Sequence, residues 1–528
     1  MGKEYAISIT NVFQLIKVMR ENFLFSLNGR ATSVKALVKN KKAHVLSSSN
    51  HWSVTENNSN NSWNVNFLNG NTNNNNKNNS NVGRAVSALG EEEIISWIEA
   101  SDDCCRNKKT SRQCTEYRVM MEELLIPLAL SVKNRTYTPL TSECFVVKYP
   151  KLREIFAANF LDRIVQHWIV LRIEPLLEDL FVRTGDVSFN CRKGYGTLRA
   201  VQTFSRKLEE VTDGWTKEAW IGRFDLKSFF MTIDKVRLWN MLKDFIEANY
   251  FGNDKDTLLW LSEITIKHRP QDNCMQKGDI TLWDKLPKHK SLFTMDGMAI
   301  GNITSQILAN FYLNKVDSIA YQFCKERSGW HERFVDDIPV ILPTKEDVKD
   351  FHGLLKDVLK KELGLTLHPD KVYIQHAKKG VKFVGSVVMP RRIYLSNRTV
   401  GRMYDMLQDM ERFCMGLKWR GISIEESFEL EHYVCACNSY MGFLKYNQSY
   451  ALRRKMFGSL KRFWKFAYVS GHYDKVVLRK RFRLKEILLG LYHCKTIKKK
   501  DYGNKVFIGV TRKRNKRGNK KNAQLQCA

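Results

Sequence analysis

One stretch constrains this chain more than any other: Arg333-Phe334-Val335-Asp336-Asp337-Ile338-Pro339-Val340-Ile341-Leu342. Two adjacent carboxylates stand between an aromatic–β-branched pair and an apolar run. That is the pattern of a tight β-hairpin whose tip carries the acids. Adjacent aspartates repel, so presenting both from one rigid turn is useful mainly where a cation is held; an isolated pair otherwise reads as a polar turn. Pro339 forfeits a ladder donor and predicts a sheet edge or a bulge. Upstream, Trp220-Ile221-Gly222-Arg223-Phe224-Asp225-Leu226-Lys227-Ser228-Phe229-Phe230 reads as a strand running into a turn, with Asp225 at its end. One acid from this strand and two from the hairpin would supply two Mg²⁺ ions about 4 Å apart, the arrangement that serves in-line phosphoryl transfer.

These residues carry a family likeness. Phe334-Val335-Asp336-Asp337 resembles the aromatic-x-Asp-Asp box of reverse transcriptases, with Phe where Tyr is usual, and Asp225-Leu226-Lys227-Ser228-Phe229-Phe230 resembles their first catalytic motif. Between them, Gly297-Met298-Ala299-Ile300-Gly301-Asn302-Ile303-Thr304-Ser305-Gln306 resembles the motif that packs on template and incoming nucleotide. The order and spacing are the family's, over roughly residues 95–470, and the Gly-Asn-x-x-Ser-Gln form is similar to that of reverse transcriptases of diversity-generating retroelements and a few bacterial relatives.

The resemblance implies an α+β fold of right-hand polymerase architecture (fingers, palm, thumb) with a split βαβ palm sheet. It implies an RNA-directed DNA polymerase in which Asp225, Asp336, Asp337 and the Leu226 carbonyl hold two Mg²⁺ ions, with Mn²⁺ as a substitute. Lys148 and Arg153 would grip the triphosphate, Phe230 would exclude a 2′-hydroxyl, and Lys371 would protonate pyrophosphate. Ile300, Gly301 and Gln306 would line the nucleotide pocket. Ile300 stands where retroviral enzymes carry Gln, which fits error-prone copying at adenine. Arg192 and Lys193 would meet template phosphates, and Phe383-Val384-Gly385 would form the primer grip, with Phe383 and Gly385 at the duplex. The implied partners are template RNA, its RNA/DNA primer duplex, deoxynucleoside triphosphates and a small basic accessory protein. The alternatives are another bacterial reverse transcriptase (retron, group II intron or phage-defence type) or an idle nucleic-acid-binding scaffold; no Cys/His nuclease module follows the thumb.

Charge agrees with a polyanionic partner. The 528 residues carry 86 Lys and Arg against 55 Asp and Glu, a net +31, which favours nucleic acid over a membrane surface. No apolar run reaches the roughly 18 residues a membrane span needs, and the 12 cysteines lack zinc-site spacing. A reduced, cytoplasmic setting in a bacterium or phage is the expectation.

Five regions follow. Residues 1–90 are a leader whose segment 57–81 is Asn at fifteen of twenty-five positions; it predicts disorder. Asn codons begin with two adenines, so this wording resembles a template repeat translated in frame. Residues 91–220 read as two helices and the fingers. Residues 221–395 form the palm, including a helix over 234–250, an insertion at 251–290 without an assigned role, and a helix from 302 with Gln306 and Asn310 on one face. In the palm, too, Thr344-x-x-Asp347 caps a helix closed by Gly364, and Leu365–His368 reads as a strand. Residues 396–470 read as a helical thumb with interleaved basic and aromatic residues. Residues 471–528, eighteen Lys and Arg against three acids, read as a basic RNA-binding tail.

Overall fold

The computed structural model describes residues 50–56, 61–66, 72–76 and 89–487, apart from 107, 109–110, 149–150 and 419–420. The expectations for residues 1–49 and 488–528 lie outside the described residues. Two compact units interleave along the chain: residues 1–192, 225–321 and 353–369 form the first, and residues 193–224, 322–352 and 370–528 the second.

The Asn-rich leader corrects one expectation. Strands β1 (Asn50–Glu56), β2 (Asn61–Asn66) and β3 (Thr72–Asn76) form an antiparallel sheet in that order, with Trp52 opposite Asn64 and Trp63 opposite Asn74. Pairing needs only backbone N–H and C=O groups, which Asn supplies as any residue does. Trp63-Asn64-Val65-Asn66 also alternates apolar with polar at the strand period.

Three helices follow where two are expected: α1 (Glu91–Cys105), α2 (Arg112–Val119) and α3 (Met121–Lys133). Ser111 caps α2 by accepting from the Cys114 N–H, and Met120, at φ −112°, separates α2 from α3. Strands β4 (Ser142–Val147) and β5 (Arg153–Ala157) make an antiparallel hairpin. Helix α4 (Phe160–Arg183), capped by Asn159, buries apolar residues such as Ile164, Trp168, Ile173 and Leu177 together with the polar Asp162, Gln166 and His167. Its Trp168 stacks on Trp97 of α1 at 5.4 Å.

Helix α5 (Thr197–Val211) belongs to the second unit, and β6 (Trp220–Asp225) runs out at Asp225. The expected amphipathic helix is α6 (Lys235–Asn249), whose Asp234 side chain accepts from the Val236 and Arg237 N–H groups. The insertion acquires a place: it holds α7 (Lys255–Lys267) and β7 (Cys274–Gln276), and β7 pairs parallel with β4 to complete the sheet β5-β4-β7. Helix α8 (Ile303–Glu326) follows.

The second unit is built on a sheet of order β10-β6-β9-β8, with β8 at Trp330–His331, β9 at Asp337–Leu342 and β10 at Tyr373–His376. Helix α9 (Lys345–Val358) connects β9 to β10, with the Asp347 N–H donating to Thr344 Oγ1 at 3.0 Å and the helical run ending at Gly364. Phe351 packs on Phe224 of β6 at 6.2 Å and on His331 of β8 at 5.9 Å. Residues 365–368 contribute a single bridge, Leu226 to Leu367, rather than the strand expected there.

The β9 strand corrects the reading of Pro339. It lies between β6 and β8, not at an edge, and its register with β8 is constant, without a bulge. The Glu332 N–H still donates to the Pro339 carbonyl at 3.0 Å. Only the reverse bond is forfeited, beside an edge strand two residues long.

A second small sheet follows: β11 (Val381–Phe383), β12 (Ser386–Met389) and β13 (Arg392–Leu395). Helices α10 (Asn397–Gly416), α11 (Ile424–Leu444) and α12 (Tyr450–Gly458) then pack around Leu407, Met410, Leu430 and Met441. The boundary drawn at residue 470 moves. Strands β14 (Ala467–Ser470) and β15 (Lys475–Leu478) pair across it, and Val476, Leu478, Phe482 and Ile487 join the same core. Their apolar spacing was hidden by the surrounding lysines and arginines.

Candidate active site

The β8–β9 connection is as tight as its sequence requires. Phe334 and Asp337 exchange both backbone hydrogen bonds, at 2.9 and 3.1 Å, leaving Val335 and Asp336 as the two residues of the turn. Val335 has φ +60°, the place where a type II′ hairpin turn ordinarily takes Gly. A β-branched residue there costs about 1–3 kcal/mol, and such strain gathers at functional positions. From below, buried Arg333 donates to the Val335 carbonyl at 3.3 Å. Neighbouring Glu332 is buried and accepts from Trp330 Nε1 at 3.1 Å, and burial pushes its carboxyl well above the usual carboxylate range.

Asp337 opens β9 and meets an arginine that sequence reasoning passed over. Arg223 of β6 donates from Nε and Nη2 to the two Asp337 carboxylate oxygens at 2.7 and 2.8 Å, and from Nη1 to the Lys382 carbonyl at 2.9 Å. The period-2 rule puts Arg223 on the face of β6 that carries Asp225, the signal that could have found it. Asp225 ends β6, the strand next to β9, and its carbonyl accepts from the His368 N–H at 2.7 Å. Leu226 is buried at the bridge to Leu367.

In the first unit, the β4–β5 hairpin brings Lys148 and Arg153 to one end: Val147 pairs with Arg153, and both basic side chains are exposed. The Phe156 N–H donates to the Ile300 carbonyl at 2.9 Å, and a Cβ on Gly301 would come within 2.7 Å of the Phe156 carbonyl, so Gly is required there. Phe229 is buried and Phe230 half-buried, with the Met298 N–H on the Phe230 carbonyl at 2.8 Å. Gln306 is exposed in the first turns of α8. Asn310, one turn on, is fully buried, accepting from Ser188 Oγ at 3.2 Å and donating to the Asn190 carbonyl at 2.6 Å. The expected common face therefore divides into an exposed and a structural position.

Two expected nucleic-acid contacts are corrected. The Arg192 side chain is 0% exposed; it forks onto Glu178, bridges to Asp186 at 2.9 Å and donates to the Ser188 carbonyl. Its donors are spent inside the first unit, whereas Lys193 is exposed. Phe383 is buried against Phe204 at 5.4 Å, so its ring serves the core. The turn itself forms: Val384 (φ +44°) and Gly385 (φ +84°) are the two-residue loop joining β11 to β12, and Gly385 is exposed. Lys371 is exposed on a 3₁₀ turn, Pro369–Lys371.

Mg²⁺ is a hard cation that takes one or two carboxylates and completes its shell with substrate phosphates and water. Among the described residues no group of three or more His, Cys, Asp and Glu side chains forms a ready cage, and no helix is long and apolar enough to cross a membrane.

Comparison with known proteins agrees with the motif order. Residues 147–388 match the family described as reverse transcriptase (RNA-dependent DNA polymerase). Protein YkfC of Escherichia coli (strain K12) is 25% identical over 316 residues, covering 53% of this chain and 73% of YkfC. The group II intron-encoded protein LtrA of Lactococcus lactis subsp. cremoris is 25% identical over 204 residues, covering 38% of this chain and 29% of LtrA. Among solved structures, apo telomerase from Candida tropicalis aligns at 12% identity with a TM-score of 0.38, over 60% of this chain and 58% of that one. The match thus spans less than a third of LtrA. The stretch that matches the reverse transcriptase family, residues 147–388, contains both aspartate motifs.

Proposed function

We propose that the protein is an RNA-directed DNA polymerase of the diversity-generating retroelement type, copying a template RNA into cDNA with errors at adenine. The observation that carries the polymerase reading is the strained turn at Val335, which presents Asp336 and Asp337 beside the strand that ends in Asp225. Asp225, Asp336 and Asp337, with the Leu226 carbonyl, would hold Mg²⁺, with Mn²⁺ as the substitute. When bound, the ions lower the charge barrier at the α-phosphate and activate the primer 3′-hydroxyl.

The chain's own residues do the rest. Lys148 and Arg153 neutralise triphosphate charge from the hairpin end, as paired cations do in phosphoryl transfer. The half-buried Phe230 ring presses on the sugar and selects deoxynucleotides. Exposed Lys371 supplies a proton to departing pyrophosphate. Lys193 and the Gly385 turn meet the template–primer backbone, and Gln306 the nucleotide. The architecture in this reading is that of a right hand: the sheet β10-β6-β9-β8 is the palm, the β4–β5 hairpin belongs to the fingers, and α10–α12 form the thumb. Template RNA, its primer duplex and a small basic accessory protein are the partners, in a cytoplasmic setting.

The test is incorporation of deoxynucleotides on a primed RNA template, followed by sequencing of the products. Synthesis with errors concentrated opposite adenine supports both parts of the reading. Synthesis with evenly spread errors keeps the polymerase and points to the retron, intron or phage-defence type. Binding without synthesis leaves a scaffold. Within the pocket, Ile300→Gln restores a hydrogen-bonding side chain and should lower misincorporation opposite adenine more than opposite other bases. An unchanged error spectrum would remove Ile300 from the account.

A further inference from the structure

We propose that Arg223 is a positioning residue that sets the direction and the charge of the Asp337 carboxylate and ties it to the β11–β12 hairpin. The inference rests on the polymerase reading for what the carboxylate does, and on the second unit alone for its geometry.

Three of the guanidinium's donors are committed to one task. Nε and Nη2 take both Asp337 oxygens in a parallel fork, and Nη1 takes the Lys382 carbonyl in β11. A fork of this kind fixes a carboxylate plane as well as its position, which Lys cannot do. Backbone bonds between Phe334 and Asp337 hold the other end of the residue, so the Asp337 side chain has little freedom left. Lys382 lies two residues before Val384, so a shift of the β11–β12 turn is transmitted to Asp337 through one side chain.

Charge gives the fork a second consequence. Asp336 and Asp337 are adjacent, and two carboxylates on one turn raise each other's cost of ionisation. Arg223 offsets the charge of Asp337 specifically. The pair is not a buried structural clasp, because the Arg223 side chain is 38% exposed and that of Asp337 15%. Arg223 therefore moderates how much negative charge the turn offers a divalent ion, and it aims what remains.

The test uses the full chain with Arg223→Gln and Arg223→Lys. Mn²⁺ binding is read by electron paramagnetic resonance without nucleic acid, and primer extension is read separately. Arg223→Gln leaves Asp337 uncompensated, so Mn²⁺ should bind about three- to tenfold more tightly. The misaimed carboxylate should at the same time lower kcat about tenfold or more with KM for deoxynucleotide little changed. Arg223→Lys keeps the charge and loses the fork: Mn²⁺ affinity should stay within about twofold of wild type while kcat still falls. A merely structural arginine would change the melting temperature without moving Mn²⁺ affinity. Arg223→Gln with wild-type Mn²⁺ affinity and kcat would overturn the proposal. If that variant does not fold, Arg223→Lys with wild-type kcat does so. If wild type binds Mn²⁺ but makes no DNA, the affinity shift still reads Arg223, and only the polymerase reading falls.

Discussion

Two arginines make the same fork in the two units and serve different ends. Arg192 spreads over Glu178 and Asp186 with its side chain wholly buried, and the Ser188 carbonyl takes a further donor. Arg223 spreads over Asp337 while more than a third of its side chain stays in solvent. Burial decides what each can do. A buried guanidinium with every partner internal can only hold structure, because freeing it would strand two acids. A half-exposed one is worth little to stability, so its geometry is available for function. The sequence shows neither difference: both are basic residues near a motif, and burial depends on what the rest of the chain lays over them.

The largest effect expected from this contrast is at Arg192. Arg192→Ala should destabilise the protein by about 3–5 kcal/mol in denaturant unfolding, since it leaves Glu178 and Asp186 without their counter-charge. The salt dependence of RNA binding by the folded variant should be unchanged. A flatter salt slope with normal stability would return Arg192 to the template.

Next comes an acid with no arginine in its hydrogen-bond shell. Asp162, buried in α4, accepts from the Tyr137 hydroxyl at 2.8 Å and the Leu140 N–H at 2.9 Å, and burial raises its pKa to about 6. Its folded pKa lies above its unfolded value near 4, so the folded state binds the extra proton. Stability from this group is therefore full below about pH 4 and is lost as pH rises through 6, by something on the order of 3 kcal/mol. Melting curves of wild type and Asp162→Asn from pH 4 to pH 7 should converge at the acid end and part at the neutral end, with the variant gaining. Parallel curves would mean that Asp162 is ionised throughout.

The smallest effects concern the turns at either end of the Arg223 linkage. At Gly385, with φ +84°, a Cβ would meet its nearest neighbours, Phe443 and Thr399, at an ordinary contact distance of 3.5 Å, so Gly385→Ala should cost only backbone strain, about 1–2 kcal/mol. Val335→Gly relieves strain at φ +60° and adds chain entropy, and the two should nearly cancel, within about 1 kcal/mol. It should nevertheless slow synthesis, because the turn no longer holds its acids rigidly. A Val335→Gly protein that polymerises like wild type would show that the strain has no function.

Local pattern made much of this legible. The hairpin tip, the Asp234 and Thr344 caps, the ending at Gly364 and the Val384-Gly385 turn all rest on residues within a few positions of each other. What stayed hidden is long-range. Nothing near Cys274 announces that β7 will pair with β4, 132 residues earlier at Ser142↔Cys274. Alternation along β6 puts Arg223 on the Asp225 face but does not name Asp337 as its partner, and the core positions of β15 are masked by neighbouring lysines and arginines.

The most direct test of the central claim is primer extension on RNA by wild type, Asp225→Asn and Asp336→Asn, with template–primer binding measured on the same preparations. Each substitution removes one metal-ligand charge. DNA synthesis should fall about a hundredfold or more in both variants, while binding of the duplex, which depends on basic residues elsewhere, stays within about twofold. Extension at a sizeable fraction of wild type by either variant, with binding intact, would contradict the assignment of this turn as the polymerase centre.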